Sequence, residues 1–180
     1  MEKVRLNDKT FRLYLPYEKI SAAIDEVADR LNRDFRDCED VPILLCVLNG
    51  AIVFTGELLQ RLDFPLNLVS IKMTSYAGTS TTGEVKEAMG LTADVRGRRV
   101  IVVEDIVDTG YTMVALRDIL MARGAADFKV CTLLHKPDAL KADIRLDYVG
   151  LNIPNDFIVG FGLDYDELGR NLKDIYVLDK

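Results

Sequence analysis

Val100-Ile101-Val102-Val103-Glu104-Asp105-Ile106-Val107-Asp108-Thr109-Gly110-Tyr111-Thr112 is the stretch on which the reading of this chain turns. An apolar strand runs straight into two adjacent carboxylates. A third carboxylate follows, then a Thr-Gly turn that opens a helix. Such a turn aims free backbone N–H groups outward at a helix N-terminus, where an anion is favoured. Gly110 permits a positive φ and a close approach by that anion. Thr109 and Thr112 add hydroxyl donors. The acids repel a phosphate, so they suit hydroxyl groups, a metal or a proton. A sugar phosphate meets all these demands at once, with phosphate on the turn and ribose hydroxyls on the acids. Taken alone, Asp108-Thr109-Gly110 is equally an acidic helix cap in water; the whole string is not.

Working outward, the elements alternate. Val4–Leu15 reads as a short strand or hairpin. Tyr17–Phe35 puts Ile20, Ile24, Val27, Ala28 and Leu31 on one helical stripe. Val41–Leu48 is a continuous apolar run, as in a parallel strand covered on both faces. Asn49-Gly50 breaks it, and Ala51–Leu62 reads as a helix. Leu66–Met73, Arg99–Val103 and Lys129–Leu134 are further strands, with short ones at Tyr148–Leu151 and Phe157–Phe161. Thr112–Arg123 reads as a helix ended by Gly124. Ser75–Glu87 is rich in Gly, Ser and Thr and reads as a mobile loop. Strands alternating with helices imply an α/β fold with a mostly parallel sheet and right-handed crossovers. Ligands of such sheets bind beyond the carboxyl ends of the strands.

The 180 residues suit a single domain, 1–180, with a full core. With 49% hydrophobic and 29% charged residues, the composition is ordinary for a globular protein. A net charge of −6 argues against nucleic-acid binding, which needs a basic face. No apolar run is long enough for a bilayer and the first residues carry no signal-peptide core, so no membrane association and a cytoplasmic location are expected. Cys38, Cys46 and Cys131 lack C-x-x-C spacing and read as free thiols, two of them in apolar stretches. Gly160-Phe161-Gly162 lacks the third glycine of a dinucleotide fingerprint, and no Walker-type sequence is present.

The thirteen-residue string closely resembles the phosphoribosyl pyrophosphate (PRPP) signature of the type I phosphoribosyltransferases. From about Leu15 onward the chain is similar to the hypoxanthine and hypoxanthine-guanine branch of that family. The resemblance implies the family's fold, a single domain with a central, mostly parallel sheet flanked by helices and a small hood from the N- and C-terminal segments. It implies that Glu104 and Asp105 face the ribose hydroxyls, that Asp108, Thr109, Gly110, Tyr111 and Thr112 hold the 5′-phosphate, and that Asp108 is the general base near the purine N7.

Other segments take roles on the same ground. Asn49 and Gly50 correspond to a loop that contacts pyrophosphate, often through a strained or cis peptide. The family usually has Lys or Arg at Asn49, so this chain lacks one cation there; read alone, the pair is an Asn-Gly turn. Ser75 and Tyr76 begin a segment resembling the family's lid, about 74–87, which excludes water from an oxocarbenium-like ribosyl cation. Lys136, by itself a lysine after a strand, corresponds to the donor to the purine O6. Phe157 corresponds to the ring that stacks on the base, and Ile158 to the backbone that meets its edge. Asp164 is implied as a magnesium ligand, with Glu104 and Asp105 beside it, and Arg170 as a pyrophosphate contact. His135, the only histidine, receives no role.

The implied activity is purine salvage: transfer of the 5-phosphoribosyl group of PRPP to hypoxanthine or guanine, giving IMP or GMP and pyrophosphate, with Mg2+ as cofactor. A homodimer or homotetramer is implied as well. The rivals are a transferase for xanthine or adenine, and a nucleic-acid-binding regulator of the same fold. The acidic balance and the absence of a basic stripe count against the regulator.

Overall fold

In this computed structural model residues 3–75, 85–89 and 91–179 are described, with 74, 75 and 85–89 described by backbone alone. The N-terminal hairpin pairs β1 (Lys3–Leu6) with β2 (Lys9–Leu15) across a two-residue turn, where Asn7 adopts φ 50°. Pro16 then leads into α1 (Tyr17–Phe35), which buries the stripe the sequence predicts, extended by Ala23 and Phe35. β3 (Ile43–Leu48) is followed by α2 (Ile52–Leu59) and β4 (Asn67–Ser75). The helix is shorter than the spacing predicts. Its last turn tightens to i→i−3 bonds, and the Arg61 guanidinium takes up the Glu57 carbonyl at 2.7 Å. β5 (Val85–Met89) returns antiparallel on β4.

β6 (Arg99–Val107), α3 (Tyr111–Ala122), β7 (Asp127–His135) and β8 (Tyr148–Asn152) complete the main sheet. Its order is β5-β4-β3-β6-β7-β8, parallel throughout except for β5. From β3 the chain first moves to β4 on one side, then crosses back to β6 on the other. The order of strand addition therefore reverses between β3 and β6, the place where open α/β sheets leave a crevice. Alternation along the central strands divides the core. Leu44, Ile101, Val103 and Leu133 pack with α1 and α2; Leu45, Val47, Val100, Val102 and Val130 pack with Met113, Leu116 and Leu120 of α3.

A second, antiparallel sheet has the order β1-β2-β10-β9, where β9 is Ile158–Val159 and β10 is Ile175–Leu178. It has its own small core of Phe11, Val159 and Tyr176. This is the hood of terminal segments. β9 is shorter than the expected Phe157–Phe161 because Gly160, Phe161 and Gly162 all turn to positive φ, 101°, 49° and 99°.

Cys46 and Cys131 are buried, Cys38 is half-buried, and all three are free. Among the described residues no helix is long and apolar enough to cross a membrane. The expected lid lies between β4 and β5. Val85–Glu87 belongs to β5 rather than to a loop, Ser75 ends β4, and Tyr76 with the rest of 76–84 falls outside the described residues.

Candidate active site

β6 is four residues longer than its apolar run. Pairing with β7 continues through Glu104↔Thr132, Ile106↔Leu134 and Val107↔His135. Glu104 and Asp105 are thus inside a strand, only 8% and 9% exposed, and not in a loop. The Asp105 N–H approaches Glu104 Oε1 at 3.3 Å, and the Ile106 N–H donates to Asp105 Oδ1 at 2.8 Å. Burial pushes both carboxyls above the ordinary range, and the neighbouring Asp105 charge drives Glu104 further up. Bonds to Glu104 and the backbone, and the Arg170 charge, hold Asp105 partly back.

The β3–α2 loop lies directly on this pair. A Cβ at Gly50 would stand 1.7 Å from Asp105 Oδ2, and a Cβ at Gly162 would stand 2.1 Å from the Gly50 carbonyl oxygen. Asp105, Gly50 and Gly162 are therefore stacked with room only for hydrogen, which joins the carboxyl end of β6 to that of β3 and both to the hood. The Leu48–Asn49 peptide is cis, and Asn49 is exposed beside it.

Beyond β6, Asp108 is exposed and Gly110 caps α3 at φ 84° with no side-chain cap, so the first N–H groups of α3 lie at the end of the turn. The turn is held from behind. Lys141 and Ala142 N–H groups both donate to the Thr109 carbonyl, at 3.1 and 3.0 Å. Leu140, Ala142 and Ile144 close the space where a side chain at Gly110 would go. Tyr111 is exposed and Thr112 half-buried at the start of α3.

From the next strand, the Lys136 N–H bonds the Val107 carbonyl at 3.0 Å, and Lys136 Nζ lies 3.7 Å from Asp108 Oδ2. The lysine side chain is only 12% exposed. On the hood, Phe157 is 44% exposed and Ile158 is buried in β9. Arg170 bonds Asp164 Oδ1 and the Gly162 carbonyl, each at 2.7 Å, and the Glu167 N–H donates to Asp164 Oδ2 at 2.8 Å.

The structure brings Glu104, Asp105, Gly50 and the Arg170 charge together, and separately joins Asp108 to Lys136. It does not gather Asp164, Glu104 and Asp105 into a metal cage. Among the described residues no three acid, His or Cys side chains are grouped to hold a metal. Glu104 and Asp105 are spent on backbone and on each other, whereas Asp164 sits on the Gly162–Arg170 turn. The donor set still fits magnesium, a hard ion that commonly takes one or two carboxylates and fills its shell with water and substrate phosphate oxygens. Sequence reasoning missed Gly162, whose carbonyl seats Arg170 and whose backbone packs directly on Gly50. The signal was the Gly-x-Gly pair, read only against a dinucleotide fingerprint.

Residues 14–166 match the family model described as phosphoribosyl transferase domain. The chain is 40% identical over 168 residues to a hypoxanthine-guanine phosphoribosyltransferase of Streptococcus thermophilus strain CNRZ 1066, covering 93% of this chain and 92% of that one. It is 40% identical over 170 residues to the protein of that name from Mycobacterium tuberculosis strain H37Rv, covering 92% and 84%. A crystal structure of a hypoxanthine phosphoribosyltransferase from Staphylococcus aureus superimposes with a TM-score of 0.87 at 35% identity, covering 93% of this chain and 91% of that one. A hypoxanthine phosphoribosyl transferase from Trypanosoma cruzi gives 0.88 at 32% identity, covering 98% and 95%.

The buried acids predict a measurable cost in the ligand-free protein. The Glu104 carboxyl is raised on folding, so its contribution to stability is full below the unfolded value of about 4.3 and is lost as pH rises through the folded value. Glu104→Gln removes that loss. The variant should melt above the wild type at pH 7.5, by about 2–4 °C for each kcal/mol relieved, and the gap should narrow as pH falls to 5. Melting curves across that range check it; a gap that is absent, or widest at low pH, contradicts the assignment.

Proposed function

This chain belongs to the phosphoribosyl transferase family, in its hypoxanthine-guanine branch, and on that premise we propose how its own residues transfer the 5-phosphoribosyl group of PRPP to a 6-oxopurine, releasing pyrophosphate. The observation that carries the reading is the single edge made by β6 and α3. One strand supplies two buried carboxylates and then opens a glycine-capped helix N-terminus within three residues of Asp108.

The turn Asp108–Thr112 binds the 5′-phosphate through backbone N–H groups and the hydroxyls of Thr109 and Thr112. Glu104 and Asp105 accept bonds from the ribose hydroxyls and fix the sugar, with Gly50 keeping Asp105 in place. The Asn49-Gly50 loop and Arg170 face the pyrophosphate. Phe157 stacks on the purine, the Ile158 backbone meets its edge, and Lys136 donates to O6. As the bond from C1′ to pyrophosphate breaks and that from C1′ to N9 forms, Asp108 accepts the proton leaving N7. Asp164 would hold a magnesium ion, which would supply Lewis-acid compensation for charge on the pyrophosphate. Much of the rate comes from holding two substrates in line. PRPP, hypoxanthine or guanine, and pyrophosphate are the small-molecule partners.

Substrate choice tests the reading. Lys136 offers three donors and no acceptor, so it can bond O6 of hypoxanthine or guanine. Adenine presents an amino group there, donor against donor, beside a largely buried ammonium. Sites built to bond one polar group reject analogues lacking it by up to about 10⁴–10⁵. We expect kcat/KM to rank hypoxanthine and guanine far above adenine in the wild type, and Lys136→Ala to lose hypoxanthine activity while still binding PRPP. Adenine turnover equal to hypoxanthine would move the assignment to an adenine enzyme.

Asp108→Asn keeps the size of the side chain and removes the proton acceptor. Turnover should fall by about 10²–10⁴, with PRPP binding largely kept because backbone groups hold the phosphate. A kcat within a few-fold of wild type would exclude Asp108 as the base.

Chelation should abolish activity and added Mg2+ should restore it, since Asn49 leaves the pyrophosphate loop without a cation of its own. Full activity in excess chelator would remove Asp164 from the metal role.

A further inference from the structure

The Phe157 ring, proposed above as the purine platform, is not held by the main sheet. It stands at one corner of a triangle of three rings. Its centroid lies 6.1 Å from Phe11 and 5.8 Å from Tyr165, and Phe11 and Tyr165 are 6.2 Å apart. Phe11 is fully buried in the hood, while Tyr165 meets Phe157 nearly edge-on at 86°. Edge-to-face pairs of this geometry are attractive and directional.

Tyr165 is itself clamped by the N-terminal hairpin. Lys9 Nζ donates to the Tyr165 hydroxyl at 2.7 Å and lies 4.5 Å from the centre of its ring. The hydroxyl donates onward to Asp8 Oδ1 at 2.8 Å. The donor order is consistent: an ammonium gives to the phenol, and the phenol gives to a carboxylate. Tyr165 also closes a small turn by paired backbone bonds with Leu168, at 2.9 and 3.0 Å. Nothing in the transfer step uses Tyr165, yet its polar end is fully engaged and its ring is spent on Phe157.

We propose that Tyr165, clamped by Lys9 and Asp8, is a positioning residue for the purine: it fixes the Phe157 ring before the base arrives and thereby sets purine affinity without touching the substrate. The inference rests on Phe157 being the purine platform. A ring with 44% of its surface exposed is free to change rotamer unless its neighbours prevent it. Stacking on a ring already fixed avoids the cost of ordering it at the moment of binding. The two residues Asp164 and Tyr165 are adjacent, so a purely structural role would disturb metal and PRPP along with the base. A positioning role moves the base alone.

The test is steady-state kinetics with hypoxanthine, PRPP and Mg2+ varied in turn, on Tyr165→Leu, Tyr165→Phe and Phe157→Leu. Tyr165→Leu should raise the hypoxanthine KM by roughly 3- to 10-fold, with the PRPP KM and the Mg2+ requirement unchanged. Tyr165→Phe keeps the ring edge but loses the hydroxyl held by Lys9 and Asp8, and should raise the hypoxanthine KM by less than Tyr165→Leu. Phe157→Leu should raise the hypoxanthine KM at least as much as Tyr165→Leu. An unchanged hypoxanthine KM in Phe157→Leu overturns the platform and the inference with it. A raised KM there beside an unchanged one in Tyr165→Leu overturns the inference alone, as does a Tyr165→Leu protein in which all three constants move together. Should Tyr165→Leu fail to fold, Lys9→Met removes the clamp at the hairpin turn. A higher hypoxanthine KM in that variant supports the inference, and an unchanged one refutes it.

Discussion

Two adjacent carboxylates buried at the end of β6 are the constraint from which the rest of the molecule can be understood. Glu104 and Asp105 stand side by side where β6 ends, close enough to bond one another. Each is taken out of water, and each is driven toward its neutral form. The surroundings offset this only in part, by the Ile106 N–H on Asp105 and the nearby charge of Arg170. A fold selected for stability alone has no reason to put them there. Their position makes sense on the reading proposed above, in which ribose hydroxyls donate to them and offset the cost of burying two acids.

That arrangement dictates what surrounds it. Asp105 leaves no room for a side chain at Gly50, and the Gly50 carbonyl leaves none at Gly162. Three backbone segments from different parts of the chain thus converge at the point where the order of strand addition reverses between β3 and β6. The crevice that α/β topology leaves there is lined by backbone and short acids. Longer side chains, Lys136 and Arg170, reach in from its margins and are each held by an acid, Asp108 and Asp164. The two halves of the site carry opposite charges in matched pairs, so the ligand-free site is not strongly cationic in spite of the anionic substrate it is read to bind.

The parallel core was legible in the sequence because its signal is local. Val100–Val103, Leu44–Leu48 and Val130–Leu134 are continuous apolar runs, and the α1 stripe is periodic over about five turns. The glycine-capped turn at Asp108–Thr112 was legible for the same reason, since it is one unbroken segment. What was not legible depends on partners distant in sequence. β6 looked as if it stopped at Val103 because Glu104 and Asp105 are poor strand residues by composition, and only register with β7 keeps them in the sheet. β10 is four residues long and pairs with β2 more than 150 residues away. Gly162 looked like a failed fingerprint because nothing in its own neighbourhood says that Gly50 will pack on it. Glu104, Asp105 and Asp164 come from segments far apart in sequence, and among the described residues they do not form one preassembled cluster.

This division between local and distant signal has a consequence for how the site is assembled. On the reading proposed above, the phosphate half needs β6, α3 and the Leu140–Ile144 segment, all close in sequence and all in the large sheet or against it. The purine half needs β9 and β10 from the end of the chain to pair with β2 from its beginning. Such non-local pairing is slow to form; one face of the hood rests on Phe11, Val159 and Tyr176, and the other packs into the main core through Ile158, Ile175 and Val177. The hood is nonetheless firmly joined to the main sheet: those three side chains pack beside α1 and α2, Gly162 sits on Gly50, and the Tyr17 N–H donates to Asp174 at 2.7 Å. On that same reading, the sugar phosphate is met by the main sheet and the base by a sheet that forms only when the two ends of the chain pair.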